Sequence, residues 1–556
     1  MHAILLVLAM TPAADEPAVA ADLVLFGGKV WTVDRDRPEA EAVAVWRDRI
    51  LKVGTDAEVK ALVGPKTKVI DLAGRRVVPG FHDSHLHFLG GGEQLSRVEL
   101  KDAKDEAEFG RRLREFDQKL PKGRWMLGGN WDHDRTFGGK LPTAAVVDKY
   151  VPDRPVFIRR YDGHMALANT AALKLAGVTA DSKEPAGGVV YRLEDGKTPS
   201  GILKDNAMGL VDRLIPEPDE AEITDSVRAA LRACAENGLT SVQDMDGSSA
   251  QTRRTQFRVL QRLARGGQMT VRLDLRWPIA GRRDVIDVGA EANFGNDFVR
   301  VGGVKGFMDG SLGSSTARFF EPYEGGGKNV GVFVTPPDAL GNMIREADRA
   351  GLSVAVHAIG DEANAVLLDL YAAATKRNGP RDRRFRVEHA QHLRPSDYPR
   401  FKELGVIASM QPYHAIDDGR WAEGRIGPRR CASSYAFRSL LDHGAKLAFG
   451  SDWPVAPLDV LAGVDAAVNR RPLDGKHPDG WFPEQRITVA EAVEAYTLGG
   501  AYAGFQENDR GSIRPGKLAD LVVLTRDVFA PAERDHIPDT RVAMTIVGGR
   551  VVFERK

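Results

Sequence analysis

The sequence predicts an α/β protein: a (β/α)8 TIM barrel with a small β-sandwich domain formed by both termini. Three observations predict it. Short apolar strands alternate with helical patterns through the middle of the 556-residue chain. About eight such units are present, a spacing that implies βαβ crossovers, a parallel sheet and closure of that sheet into a barrel. Both chain ends carry strands without intervening helical patterns, so they read as two halves of one β domain.

Taken in order, residues 1–20 open with an apolar run from Ala3 to Met10, and Ala18-Val19-Ala20 follows as a small-residue site. That pattern resembles a secretory signal and predicts export to the periplasm or the medium. The stretch before the run lacks Lys and Arg, so the alternative is a leader on a cytoplasmic protein. Residues 21–78 contain four β-rich runs beginning at Leu23, Val30, Ala42 and Ile50, punctuated by Gly or Asp-Arg turns, and form the first part of the sandwich. Residues 506–556 supply the second part, with runs at 521–524 and 542–547 and a Gly548-Gly549 turn into Val551. Between them, residues 79–505 read as the barrel. Strands are expected near 77–87, 156–161, 241–245, 304–308, 353–357, 386–389, 406–411 and 447–452. Helical patterns at 223–237, 337–350 and 363–376 separate several of them. Residues 100–150 and 178–205 fit neither pattern and read as inserted loops over the barrel mouth. No internal repeat or low-complexity segment is evident.

Composition narrows the function. Apolar residues make up 43% and charged residues 28%, ordinary values for a globular enzyme. Lys+Arg and Asp+Glu both number 77, so no basic surface is available in bulk for nucleic acid or an anionic membrane. No long apolar run suits a polytopic membrane protein. The two cysteines, Cys234 and Cys431, form no Cys-x-x-Cys pair, and Cys234 lies in a helical pattern as a core residue.

The chemistry-bearing residues fall at strand ends, where a barrel keeps its reactive groups. In Pro-Gly-Phe-His-Asp-Ser-His-Leu-His, His85 and His87 are two apart and share one face of a regular strand. Two imidazoles on one face are half of a divalent-metal site. Lys305, His357, His389 and Asp452 end four further strands. Neutral imidazoles with a carboxylate suit zinc, with manganese, iron, cobalt or nickel as alternatives. A lysine buried in an apolar strand is costly unless paired or altered. Reaction of Lys305 with carbon dioxide would make it a carbamate, an anionic ligand able to bridge two cations. Any one of these histidines reads as an ordinary core or surface residue. Six ligand-type side chains at five strand ends, in barrel order, point instead to a metal site.

These residues carry a resemblance. The segments 79–87, 162–173, 305–317, 357–361, 387–391, 450–455 and 513–524 resemble the amidohydrolase superfamily, and within it amidohydrolase family 3, the branch that includes N-substituted formamide deformylases. The resemblance spans nearly the whole chain after residue 21. It implies a metal-dependent hydrolase, with His85, His87, Lys305, His357, His389 and Asp452 as the shell of one or two metal ions. The position after Phe81 is usually apolar in this pattern, whereas here it is His82. By strand parity His82 faces away from His85 and reads as packing or support.

The expected reaction is hydrolysis of a non-peptide C–N amide bond in a small N-acyl or N-formyl compound by a metal-bound hydroxide. Asp452 is the expected proton shuttle. His164, after a strand, is expected to donate to the oxyanion or bind substrate. Trp131, Tyr161, Asp309, Arg318 and His414 are expected to line the pocket or support it. His392 reads as structural, and His133, His443, His477 and His536 as surface residues. A deaminase or a cyclic-amide or lactone hydrolase would use the same chemistry. A non-catalytic binding protein is a different class, but it has no need of Asp452. The expected partner is a small molecule, with a homodimer as the expected assembly.

Overall fold

The computed structural model describes residues 20–160, 165–185, 188–245, 250–313 and 315–556. The apolar leader, Tyr161 and His164 lie outside the described residues. Eight parallel strands form the barrel: β1 (Phe81–Leu86), β2 (Leu239–Asp244), β3 (Arg272–Pro278), β4 (Val299–Phe307), β5 (Ser353–Ala358), β6 (Arg386–His389), β7 (Ile407–Met410) and β8 (Lys446–Phe449). They pair in sequence order from β1 to β8. The ring closes just beyond the strand ends, where Asp452 N donates to His85 O at 2.7 Å and His87 N donates to Trp453 O at 2.8 Å.

The crossover helices follow from capping and periodicity. Asp219 and Glu222 form a capping box that starts the helix Glu220–Glu236. Ile223, Val227, Ala230, Leu231 and Cys234 fall on one helical stripe and are buried. Burying each Val or Leu there contributes about 1.5–3 kcal/mol. Cys234 is therefore core, as its periodicity indicates, and Cys431 is also buried and unpaired. Among the described residues, no helix is long and apolar enough to cross a membrane.

One strand assignment needs correction. Val156–Arg160 belongs not to the barrel but to a six-stranded inserted sheet, between Met126–Trp131 and Met165–Ala168. The barrel position goes to β3, which sequence reading passed over. Its Arg272, Asp274 and Arg276 are buried among the barrel strands, and such charges erase the apolar signature of a barrel strand. Val156-Phe157-Ile158 has that signature, but periodicity does not say which sheet a strand joins. The inserted sheet draws on strands from Val98–Glu99 to Pro199–Asp205, all between β1 and β2.

The termini meet as expected. Leu521–Leu524 runs antiparallel to Arg76–Pro79, in a sheet that also contains Lys29–Trp31 and Val542–Val547. A second sheet holds Ala21–Phe26 and Ala42–Trp46, and side chains such as Leu25, Val45, Leu521 and Ile546 share one core between the two.

Candidate metal centre

β1 carries one residue more than β2 between paired positions: Val242 faces Asp83, whereas Asp244 faces Leu86. This bulge breaks strict alternation, so Ser84 and His85 both reach inward-facing partners. Ser84 Oγ lies 3.2 Å from Ser409 Oγ on β7, and His85 Nδ1 lies 2.6 Å from Glu388 Oε2 on β6. His82, upstream, lies 3.1 Å from Gln243 on β2 and does not enter the centre.

Beyond the strand ends, His87 Nε2 stands 3.2 Å and His85 Nε2 3.4 Å from Asp452 Oδ1. His414 Nε2 stands 3.7 Å from Asp452 Oδ2. The ligand atoms of His85, His87 and Asp452 all lie within 4.8 Å of one another, and so do those of His389, His414 and Asp452. Lys305 Nζ is 3.5 Å from His85 Nε2. The His389 ring centroid is 4.7 Å from that of His85 and 4.6 Å from that of His357. The fold thus gathers all six side chains, and Asp452 stands between the two triads. His389 and Asp452 hold left-handed backbone angles, φ 76° and 61°, which are uncommon for non-glycine residues.

The electrostatics favour ligation. Burial, reinforced by the Lys305 charge, pushes His85 down to about 4 and His357 down to about 3. Burial also takes His389 well below the usual histidine range. These rings are neutral at physiological pH and present lone pairs. Burial lowers Lys305 to about 8, which brings its free amine within reach. Burial favours the neutral form of Asp452, but the surrounding His87, His85, His389 and His414 rings hold it well below the usual carboxylate range.

The donor set fits a divalent cation. A neutral His85 that donates from Nδ1 to Glu388 has a bare Nε2, and that lone pair faces the Asp452 carboxylate at 3.4 Å. Two acceptors at that separation need positive charge beside them; Lys305 Nζ lies 3.5 Å from that Nε2, and a divalent cation would satisfy both acceptors at once. Asp452 Oδ1 and His414 Nε2 are both buried without a hydrogen-bond partner among the described residues. Imidazoles and one carboxylate are the ligand types of catalytic zinc sites.

Other predicted residues fall elsewhere. Trp131 is fully buried in the apolar core of the inserted sheet, and its Nε1 donates to Ile158 O at 2.9 Å. Its indole is used up in packing, so the pocket-wall role read from sequence moves to other residues. Asp309 accepts from the amides of Arg318, Gly360 and Ile359 at 2.8, 2.9 and 3.0 Å, and so ties the loops after β4 and β5 together. It also lies 3.6 Å from His357. Arg318 pairs with Glu362 at 2.7 Å. His392 is buried, 2.6 Å from Ser434 Oγ. His443, His477 and His536 are exposed, and His133 is half-buried.

Three residues at the site escaped sequence reading. Glu388 backs His85, and Gln411 Oε1 meets His389 Nδ1 at 2.7 Å. Phe307 keeps 37% of its surface exposed, 4.9 Å from Lys305 Nζ and with its ring 5.4 Å from that of His357. The available signal was position, and for Phe307 alone, two residues past Lys305 on β4; Glu388 immediately precedes His389 but touches His85.

Comparison with known proteins agrees with this geometry. The Amidohydrolase family profile matches residues 68–553. The chain is 38% identical to the Arabidopsis thaliana protein LONG AFTER FAR-RED 3, over 98% of this chain and 93% of that one. It is 28% identical to the N-substituted formamide deformylase of Arthrobacter pascens, over 96% and 98% of the two chains. The crystal structure of a metal-dependent hydrolase from Pyrococcus furiosus superimposes with a TM-score of 0.75 at 29% identity, covering 91% of this chain and 99% of that one. With the ligand-bearing barrel and the family match in agreement, the chain belongs to the amidohydrolase family and is a metal-dependent hydrolase acting on C–N bonds.

Proposed function

We propose that this enzyme hydrolyses the amide bond of a small N-acyl or N-formyl compound, using zinc held by His85, His87, His357, His389, Asp452 and a carboxylated Lys305. The observation that carries the reading is the convergence of these side chains, from five barrel strands, around the Asp452 carboxylate. The likeness to an N-substituted formamide deformylase supports the substrate class. A divalent cation bound there would polarise an amide carbonyl and lower the pKa of water to roughly 7. Asp452 takes a proton from the attacking water on its carboxylate and passes it to the departing nitrogen, which leaves as an amine. The neutral Lys305 amine would add to carbon dioxide, forming an N–C bond and releasing a proton, and the resulting carbamate would supply negative charge to offset that of bound cations. Phe307 provides an apolar wall beside the reacting carbonyl.

The test is metal analysis of the purified enzyme followed by a screen of formamides, N-acyl amino acids, lactones and aminopurines. Stoichiometric zinc with turnover of formamides or N-acyl compounds is expected. Turnover confined to lactones or aminopurines would replace the substrate class, and absence of bound metal would remove the mechanism. Carbon NMR with isotopically labelled bicarbonate should show a carbamate signal that disappears in Lys305→Ala.

A further inference from the structure

We propose that Glu388, itself held by Arg386, is a positioning residue that determines which nitrogen of His85 faces the centre and supplies the negative charge behind that ligand. The inference rests on the metal reading above. Arg386, Glu388 and His85 are fully buried, and their side chains form one line. Arg386 Nε lies 2.7 Å from Glu388 Oε1, and Glu388 Oε2 lies 2.6 Å from His85 Nδ1. The carboxylate divides its two oxygens between two partners. The one not engaged by arginine meets the imidazole at the short distance of a charge-assisted hydrogen bond.

Arg386 is already anchored: Nη2 donates to Ser84 O at 2.6 Å and to Ser409 Oγ at 2.9 Å, and Nη1 donates to Gln243 Oε1. Those contacts hold Arg386 against β1, β2 and β7, so the guanidinium is a fixed platform for Glu388. An ionised carboxylate can only accept, so the proton between them sits on His85 Nδ1. Nε2 is then bare, 3.4 Å from Asp452 Oδ1. Glu388 meets the Arg386 guanidinium through its other oxygen at 2.7 Å, the close pairing of an ionised carboxylate with a permanent cation. His389 is arranged differently, its Nδ1 facing the neutral Gln411 at 2.7 Å. The carboxylate makes His85 the more basic ligand of the two.

The variants Glu388→Gln and Glu388→Leu test this, with zinc affinity measured by chelator competition on the full-length protein and folding checked by circular dichroism. Glutamine keeps an oxygen acceptor but removes the charge, and leucine removes both. Affinity is expected to fall roughly 10–100-fold in Glu388→Leu, the range typical for loss of a ligand's supporting partner, and to fall less in Glu388→Gln. Folded variants that bind zinc as tightly as the wild type would overturn the proposal. Nitrogen NMR of the metal-free wild type gives a reading that no variant can confound. A proton on His85 Nδ1 is expected, and one on Nε2 would overturn the assignment. If the wild type binds no zinc, the metal reading fails, while the NMR result still decides the role of Glu388.

Discussion

At the residue scale, Asp452 is the side chain on which the centre turns. It lies within 4 Å of three imidazoles, at 3.2, 3.4 and 3.7 Å, on a backbone held at φ 61°. A positive φ on a non-glycine residue costs about 1–3 kcal/mol and persists only where the surroundings impose it. Asp452→Asn should lower kcat about 10²–10⁴-fold, the typical worth of a general acid–base group, without loss of the folded state. Steady-state kinetics alongside thermal melts would check this, and a fully active Asp452→Asn would dismiss the shuttle. Legibility differed from residue to residue here. His85, His87, His357 and His389 could be found because imidazoles are rare and fall at strand ends. Glu388 could not, because a glutamate beside a histidine in sequence says nothing of which histidine it will touch.

At the element scale, two junctions should be sensitive. β8 must approach β1 closely to close the barrel. A Cβ built on Gly450 would lie 2.5 Å from His85 N and 2.6 Å from Asp83 Oδ1. Gly450→Ala should therefore cost about 1–3 kcal/mol as an overpacked site and should weaken zinc binding by displacing Asp452 from His85. Urea unfolding and a zinc titration would measure the two effects. The second junction is the buried Arg272–Asp520 pair, with contacts at 2.8 and 2.9 Å, which joins β3 to the terminal β domain. Burial raises the Asp520 pKa, but Arg272 outweighs it and holds the carboxyl below its ordinary value. A group depressed in this way stabilises the fold above the unfolded carboxylate pKa, and that stability is lost as pH falls toward and below it. Asp520→Ala should cost about 3–5 kcal/mol near neutrality by stranding a buried guanidinium. The penalty should shrink as pH falls below about 4, the unfolded Asp value. Denaturant midpoints of both proteins across pH would show this, and a penalty constant with pH would contradict it.

At the scale of the whole molecule, fold and metal should be separable. The apolar core extends around the barrel through residues such as Val304, Leu340, Leu367 and Phe449, which do not ligate. Chelator-treated protein should therefore keep its far-ultraviolet dichroism and a cooperative melt while losing activity. Added zinc should raise the melting temperature in the manner of any ligand that binds only the native state, stabilising that state by about 2.7 kcal/mol at one hundred times Kd. Unfolding on chelation would instead make the metal structural.

The local pattern of residues was enough to establish a strand–helix repeat, β-rich termini and the histidines, lysine and aspartate that end their strands. Each of these is written in short-range periodicity and in side-chain type. What only the assembled structure decided depends on contacts between distant segments. Val156–Arg160 joined the inserted sheet, while β3, with its buried Arg272, Asp274 and Arg276, took the place in the barrel. Trp131 turned into a core. A single bulge in β1 overrode the alternation that would have placed His85 opposite Ser84. Glu388 found His85 across 303 residues of chain. Burial and charge pairing act through space rather than along the chain, so a buried ion pair or a bulge leaves no mark on sequence periodicity.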